Sequence, residues 1–327
     1  MTGPAPSLIP GLPLVLVSAW NESGGGFLHR LFDGHPELMV YPFELQLGTG
    51  ALRDGFSDWF SAKYRWPELP QDLDAASPDG LFKAFMDQEL KSTLAEPDTA
   101  KHRAYALDFG LDDARALFRA ALAQTDRSGG RTRRAVVEAY VRAVFTAWTG
   151  RRASGRERFF LGHCPTVNLD ADHFLHEMDG LAMIQVVRSP ISGFADFRRR
   201  VPGMDPGRFA VKWSLVNALS VFWQGKYPDR VRTVFFEDLL ADREAAMRGL
   251  CGFMGVDFED VLLEPTFNGA PMARLYPFGG VPEVSAEHEA ASCNELSTDV
   301  TTTLLRGTEA VIRMFPEHIQ EAYLHHV

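Results

Sequence analysis

LVLVSAWNESGGGFLHRLFDGHPELMVYPFE, residues 14–44, decides how the rest of the chain is read. Leu14-Val15-Leu16-Val17 is an apolar run of the length of one buried strand. Small and polar residues follow at once, from Asn21 through Glu22, Ser23, Gly24, Gly25 and Gly26. Apolar residues at 27, 28, 31 and 32 then have helical spacing. Gly34 stands where a left-handed helix end is expected, and Pro36 stops any continuation. Leu38-Met39-Val40-Tyr41 predicts the next strand. The unit is strand, glycine loop, helix, strand.

A glycine loop at a helix start leaves backbone N–H groups without partners, with the positive end of the helix dipole behind them. Such a loop suits phosphate or sulfate. Glycine is required where a side chain would keep the anion from the backbone. A tight turn with no ligand is the plainer reading of the same residues. The loop is not the usual nucleoside-triphosphate type, because G-x-x-x-x-G-K-[ST] is absent. It is not a dinucleotide fingerprint either, because S-G-G-G lacks the G-x-G-x-x-G spacing.

The chain of 327 residues is 46% hydrophobic, enough for one large domain with an insertion or for two small ones. Its formal charge of −10 does not favour nucleic acid or an anionic membrane as a partner, so an anionic ligand needs a local basic pocket. Cys164, Cys251 and Cys293 are scattered, without the spacing of a zinc site or a disulfide framework. No carboxylate/His cluster has metal-ligand spacing, so no metal is expected. The Pro-rich start lacks the charged and apolar regions of a signal peptide. No apolar run reaches the roughly 18 residues of a membrane span. A cytoplasmic protein is expected, and the excess of Arg over Lys suggests a GC-rich bacterial genome.

Further strands are expected at 159–163, 181–187 and 231–236. Helices are expected at 81–94, 111–123, 133–148, 169–178, 209–222, from Glu237 to Met254, 297–315 and 317–323. The stretch 46–158 reads as a helical insertion packed over the sheet's ligand edge, a candidate acceptor-side cap, because long insertions in compact domains are usually functional; a helical side layer with no ligand role is the plainer reading. Pro265 to Pro282 reads as a long Gly/Pro loop. Parallel strands alternating with helices predict an α/β fold: a single domain over 1–327, its three-layer parallel sheet covered on both faces. Ligands on such sheets sit at the carboxyl ends of the strands. The glycine loop, Glu44, His163 and Arg188 all follow strand ends.

The pattern of strand, S-G loop, helix, H-P, strand, Glu resembles the sulfotransferase family in its bacterial, carbohydrate-type branch. It is carried by Ser23-Gly24, His35-Pro36 and Glu44, by Arg188-x-Pro190 before a helix, and by Glu237-Asp238-Leu239 with the helix to Met254. It covers most of the chain, least well over 46–158. The resemblance implies sulfuryl transfer from 3′-phosphoadenosine 5′-phosphosulfate (PAPS) to a hydroxyl or amine of a small-molecule acceptor, as in natural-product chemistry. It implies that Glu22, Ser23, Gly24, Gly25, Gly26 and Phe27 surround the 5′-phosphosulfate, with Phe27 a candidate adenine stack. Arg188, with Ser192 and Asp196, stands where the family binds the 3′-phosphate, and Arg274 is the candidate basic residue of the covering loop. Glu44 or His163 is the candidate base, His163 alternatively a cation on the leaving side. Several residues depart from the pattern: Glu22 stands for a basic residue, Gly25 and Gly26 for hydroxyl residues, His163 for a lysine and Asp196 for a serine. Two alternatives therefore stay open: a chain of this fold that has lost PAPS and does other chemistry, and a binding module without turnover.

Overall fold

The computed structural model describes residues 12–45, 69–85, 111–127, 129–149, 154–267, 270–271 and 285–324. Five strands form one parallel sheet: β1 (Leu14–Ala19), β2 (Leu38–Glu44), β3 (Phe159–His163), β4 (Ala182–Val187) and β5 (Val231–Phe235). Their spatial order is β2-β3-β1-β4-β5. The apolar runs read as strands are thus buried on both faces, as a parallel sheet requires. Leu14 and Leu16 face one layer of the core, and Val15, Val17 and Ala19 face the other.

On the Val15 face lie α1 (Gly25–Phe32), α8 (Phe236–Ala241) and α9 (Arg243–Met254). Gly34 follows α1 with φ of 82°, and Gly255 ends α9 with φ of 69°, the left-handed conformation that glycine adopts at little cost. On the Leu16 face lie α2 (Pro78–Phe85), α3 (Leu111–Arg127), α4 (Arg133–Thr149) and α5 (Ala171–Glu177). A single 3₁₀ turn, Val167–Asp170, leads into α5. The described part of the 46–158 insertion is thus a side layer. Phe82 and Phe85 are core residues there, and the Tyr41 and Tyr140 hydroxyls meet at 3.1 Å.

The remaining helices are α6 (Pro190–Arg200), α7 (Pro206–Lys226), α10 (Ala286–Asn294), α11 (Thr298–Ile312) and α12 (Glu317–Leu324). Trp20, Phe194, Phe209, Trp213, Ile312 and Phe315 form their shared core. α7 extends beyond the expected 209–222, because Asp205 caps it by accepting from the Arg208 N–H at 2.7 Å and Pro206 opens it. Ser297 precedes α11, but its hydroxyl makes no cap bond. α10 has no counterpart among the sequence expectations. Residues 86–94 and Arg274 lie outside the described residues. So do most of the Gly/Pro loop and the insertion aromatics Trp59, Phe60, Tyr64 and Trp66.

The sheet's topological switch falls at β1, which has β3 on one side and β4 on the other. The loop leaving β1 is the glycine loop. A crevice at the carboxyl ends of the strands beside the switch is where such sheets bind ligands.

Candidate active site

Gly24 caps the N-terminus of α1 with φ of 84° and has no side chain to occupy the first-turn N–H groups. A Cβ at Gly24 would stand 2.2 Å from the Phe236 ring. One at Gly25 would stand 2.6 Å from Ala19 Cβ and 2.7 Å from His163 Nε2. Both glycines are therefore sterically required. Gly26 is different: a Cβ there meets nothing within 4 Å, so its loop role is confined to its N–H. Ser23 is buried, and its N–H donates to the Trp20 carbonyl at 3.1 Å.

His163 lies against the glycine loop at the end of β3. Its ring stacks on that of His29 from α1, with centroids 5.8 Å apart and planes at 29°. Burial, then Arg30 and His163, hold His29 well below the ordinary histidine value, so it is neutral. Glu44 pairs in register with His163 across β2 and β3, after an irregularity that follows Val40. The two candidate bases are thus neighbours on one sheet edge. His29 was not among the sequence candidates, since a histidine on the apolar face of α1 reads as core.

Phe27 does not stand free for an adenine. Its ring packs edge-on to Phe236 at 6.0 Å, under the Arg243 guanidinium at 5.3 Å, and is 8% exposed. Glu22 adopts φ of 58°, unusual for a residue with a side chain. Its carboxylate pairs with Arg200 at the end of α6, and its carbonyl accepts from Arg188 Nη1 at 2.7 Å. The negative charge expected to oppose an anion at the loop is thereby neutralised.

Arg188 is 5% exposed, and its guanidinium lies over the Phe236 ring at 5.2 Å. Nε donates to Glu289 at 2.8 Å, and Nη2 bonds the other oxygen of that carboxylate. Nη2 also meets Asp196 Oδ2 at 2.7 Å. Burial opposes the charge, yet Glu289 and Asp196 outweigh it and raise Arg188 above the ordinary arginine value. Asp196 therefore does not turn away from the arginine; it is bonded to it, and to Arg199 at 2.5 Å. Ser192 is buried, and its hydroxyl has no hydrogen-bond partner among the described residues. Ser189, the N-cap of α6, spends its hydroxyl on the Ile191 N–H. The Arg198–Arg200 triplet is not a freely solvated face: Arg198 and Arg199 reach Glu295 and Arg200 reaches Glu22.

Glu289 comes from α10, together with His288 and Ser292, which approach Asp196 at 3.5 and 3.3 Å. A signal for this helix was present. Ser285 precedes Ala-Glu-His-Glu-Ala-Ala and accepts from the His288 N–H at 3.2 Å, a helix start with acidic residues in the first turn. Glu237 is braced in the same cluster. It accepts from the Ser189 N–H at 2.9 Å and from the Tyr323 hydroxyl at 2.5 Å. Burial of the carboxyl pushes it up to about 7, against those two hydrogen bonds. No group of three or more potential metal ligands exists among the described residues.

A glycine loop leaves the central strand of a parallel α/β sheet, with polar residues from three more strand ends around it. The chain belongs to the sulfotransferase family, whose family profile it matches over residues 13–260. No curated protein matches it in sequence. Among solved structures, the sulfotransferase domain from the Synechococcus PCC 7002 olefin synthase is similar at 18% identity and a TM-score of 0.50. That match covers 93% of this chain and 95% of the other. The sulfotransferase domain from the curacin biosynthetic pathway follows, at 17% identity and a TM-score of 0.46 over 97% of this chain and 99% of that one. Sulfotransferase STF9 from Mycobacterium avium has 12% identity and a TM-score of 0.42, covering 94% and 78%. Among the described residues, no helix is long and apolar enough to cross a membrane.

PAPS, the donor implied by the resemblance, fits at one end only. The glycine loop offers N–H donors at a helix start, which suits the 5′-phosphosulfate. At Arg188, Nε and Nη2 are spent on the Glu289 and Asp196 carboxylates and Nη1 holds the Glu22 carbonyl, an arrangement that opposes a 3′-phosphate there.

Proposed function

We propose that the protein transfers a sulfuryl group from a nucleotide phosphosulfate to a hydroxyl or amine of a small-molecule acceptor. The observation that carries this is the glycine loop, where Gly24 and Gly25 are each required by a side chain packed against them. The chain keeps its closest tolerances at the place where an anion would meet the backbone. N–H groups of Gly24 to Phe27 would hold the phosphosulfate, aided by the dipole of α1.

Transfer is an in-line displacement. The acceptor oxygen or nitrogen bonds to sulfur, and the bond from sulfur to the bridging oxygen breaks. The electron pair stays with the nucleotide 5′-phosphate, and the acceptor proton passes to a base. Glu44 and His163 share that role: one takes the proton, and the other orients it or meets charge on the leaving oxygen. Their pairing across β2 and β3 supports treating them as a unit. Glu44 leads directly into the 46–158 insertion, which we assign to the acceptor side.

The test is transfer of labelled sulfuryl from adenosine 5′-phosphosulfate and from PAPS to a panel of phenols, alcohols and amines. Labelled product that disappears in Glu44→Gln and His163→Asn supports the reading. One observation favours the alternative of a chain that has lost donor chemistry, namely the neutralised Arg188. Absence of transfer from either donor, with no nucleotide binding, would decide for it.

A further inference from the structure

Arg188 lies beside the glycine loop, and four of its five N–H donors are already engaged. Its Nη1 holds the Glu22 carbonyl, at the residue just before the loop, so the guanidinium and the loop border the same crevice. Its other face takes Glu289 through two bonds and Asp196 through a third contact. Both carboxylates are well shielded from water, with side-chain exposures of 13% and 15%. Arg199 balances Asp196, and the Glu295 carboxylate just past the end of α10 offsets Arg199 in turn. Counting Arg188, Arg198, Arg199, Asp196, Glu289 and Glu295, three negative charges meet three positive ones, so the cluster is balanced without a ligand. Ser292 and His288 complete the shell around Asp196. Phe236 closes the remaining face of the guanidinium and is itself wedged against Gly24.

We infer that this chain takes a sulfuryl donor with a single anionic end, of the adenosine 5′-phosphosulfate class, and that Glu289 and Asp196 exclude donors carrying a second phosphate. The inference rests on the sulfuryl-transfer reading above and deepens it. A carboxylate forked onto arginine uses the same donors that a phosphate would need. A dianionic phosphate brought to Arg188 would have to displace Glu289 or sit against two like charges in a poorly solvated site. The two carboxylates are therefore specificity determinants, and α10 is the element that delivers one of them.

The experiment is calorimetric titration at physiological salt with two probes, adenosine 5′-monophosphate and adenosine 3′,5′-bisphosphate. The expected result is that the bisphosphate binds at least tenfold more weakly than the monophosphate. In the Asp196→Ser/Glu289→Gln double variant the ratio between the two should shift at least tenfold toward the bisphosphate. Equal or tighter binding of the bisphosphate by the unmodified protein would overturn the inference and leave the sulfuryl-transfer reading standing. Binding of neither probe would remove the loop reading, and the inference with it. Because the unmodified protein alone separates these outcomes, a double variant that fails to fold does not rescue the claim.

Discussion

Replacing Glu237 by Gln should make the protein more stable above neutral pH and remove a slope from its pH profile. Glu237 is half-buried, its carboxylate held between the Ser189 N–H and the Tyr323 hydroxyl, and its carboxyl is pushed up to about 7, chiefly by loss of water. In the unfolded chain a glutamate titrates near its ordinary 4.5. Between those values the folded state binds the extra proton, so stability falls as pH rises through the window and levels off above it. The separation corresponds to about 3 kcal/mol. Gln keeps an oxygen for the Ser189 N–H and presents an amide N–H to the Tyr323 oxygen, so neither bond need be lost. Urea unfolding of both proteins at pH 5 and pH 8.5 measures the effect. The variant should gain about 2–3 kcal/mol on the parent between the two pH values. A constant difference between the two proteins would refute the reasoning, because it would mean that Glu237 carries its ordinary charge in the fold.

The glycine loop predicts a graded series by thermal and urea unfolding. Gly24→Ala should lose about 2–5 kcal/mol, because it combines a left-handed backbone with a Cβ driven into Phe236. Gly25→Ala should also destabilise and displace His163, whereas Gly26→Ala should be neutral or gain about 0.5–1 kcal/mol and keep anion binding. In the transfer assay, Glu44→Gln and His163→Asn should each lower kcat by about 10²–10⁴ with little change in donor affinity. Arg142 on α4 is 9% exposed, its Nη2 finds no hydrogen-bond partner among the described residues, and burial disfavours its charge. Arg142→Met should therefore stabilise by about 1–4 kcal/mol on urea unfolding.

The sheet was legible because buried parallel strands read as unbroken apolar runs. Phe159–His163 and Leu181–Val187 each fell within a residue of the observed strand, and Leu14–Val17 ended two residues short of it. The glycine loop was legible because three adjacent glycines between a strand and a helix mark backbone that must pass where side chains do not fit. The Arg188 environment was not. Asp196 could be seen to replace a serine, but a sequence does not say whether a carboxylate turns toward an arginine or away from it. Glu289 lies 101 residues from Arg188, and its helix begins just beyond a Gly/Pro stretch where periodicity gives no anchor. Phe27 misled for a related reason: an aromatic at the loop can face a ligand or the core, and only Phe236, brought in from the end of β5, decides it.

The separation between Arg188 and Glu289 also has a meaning in time. A chain leaving the ribosome completes the fifth strand at Phe235, yet the partner of its buried guanidinium is still unmade. At about 5–20 residues per second, the 101 residues from Arg188 to Glu289 take roughly 5–20 s to appear. Tyr323, which braces Glu237, comes later still. For that interval a finished sheet carries a cation held by Asp196 without its forked partner Glu289, and an unbraced carboxyl at its working edge, with the core under α11 and α12 uncovered. Nascent chains stalled near residue 271 should therefore be held by chaperones, and those released from residue 324 should not.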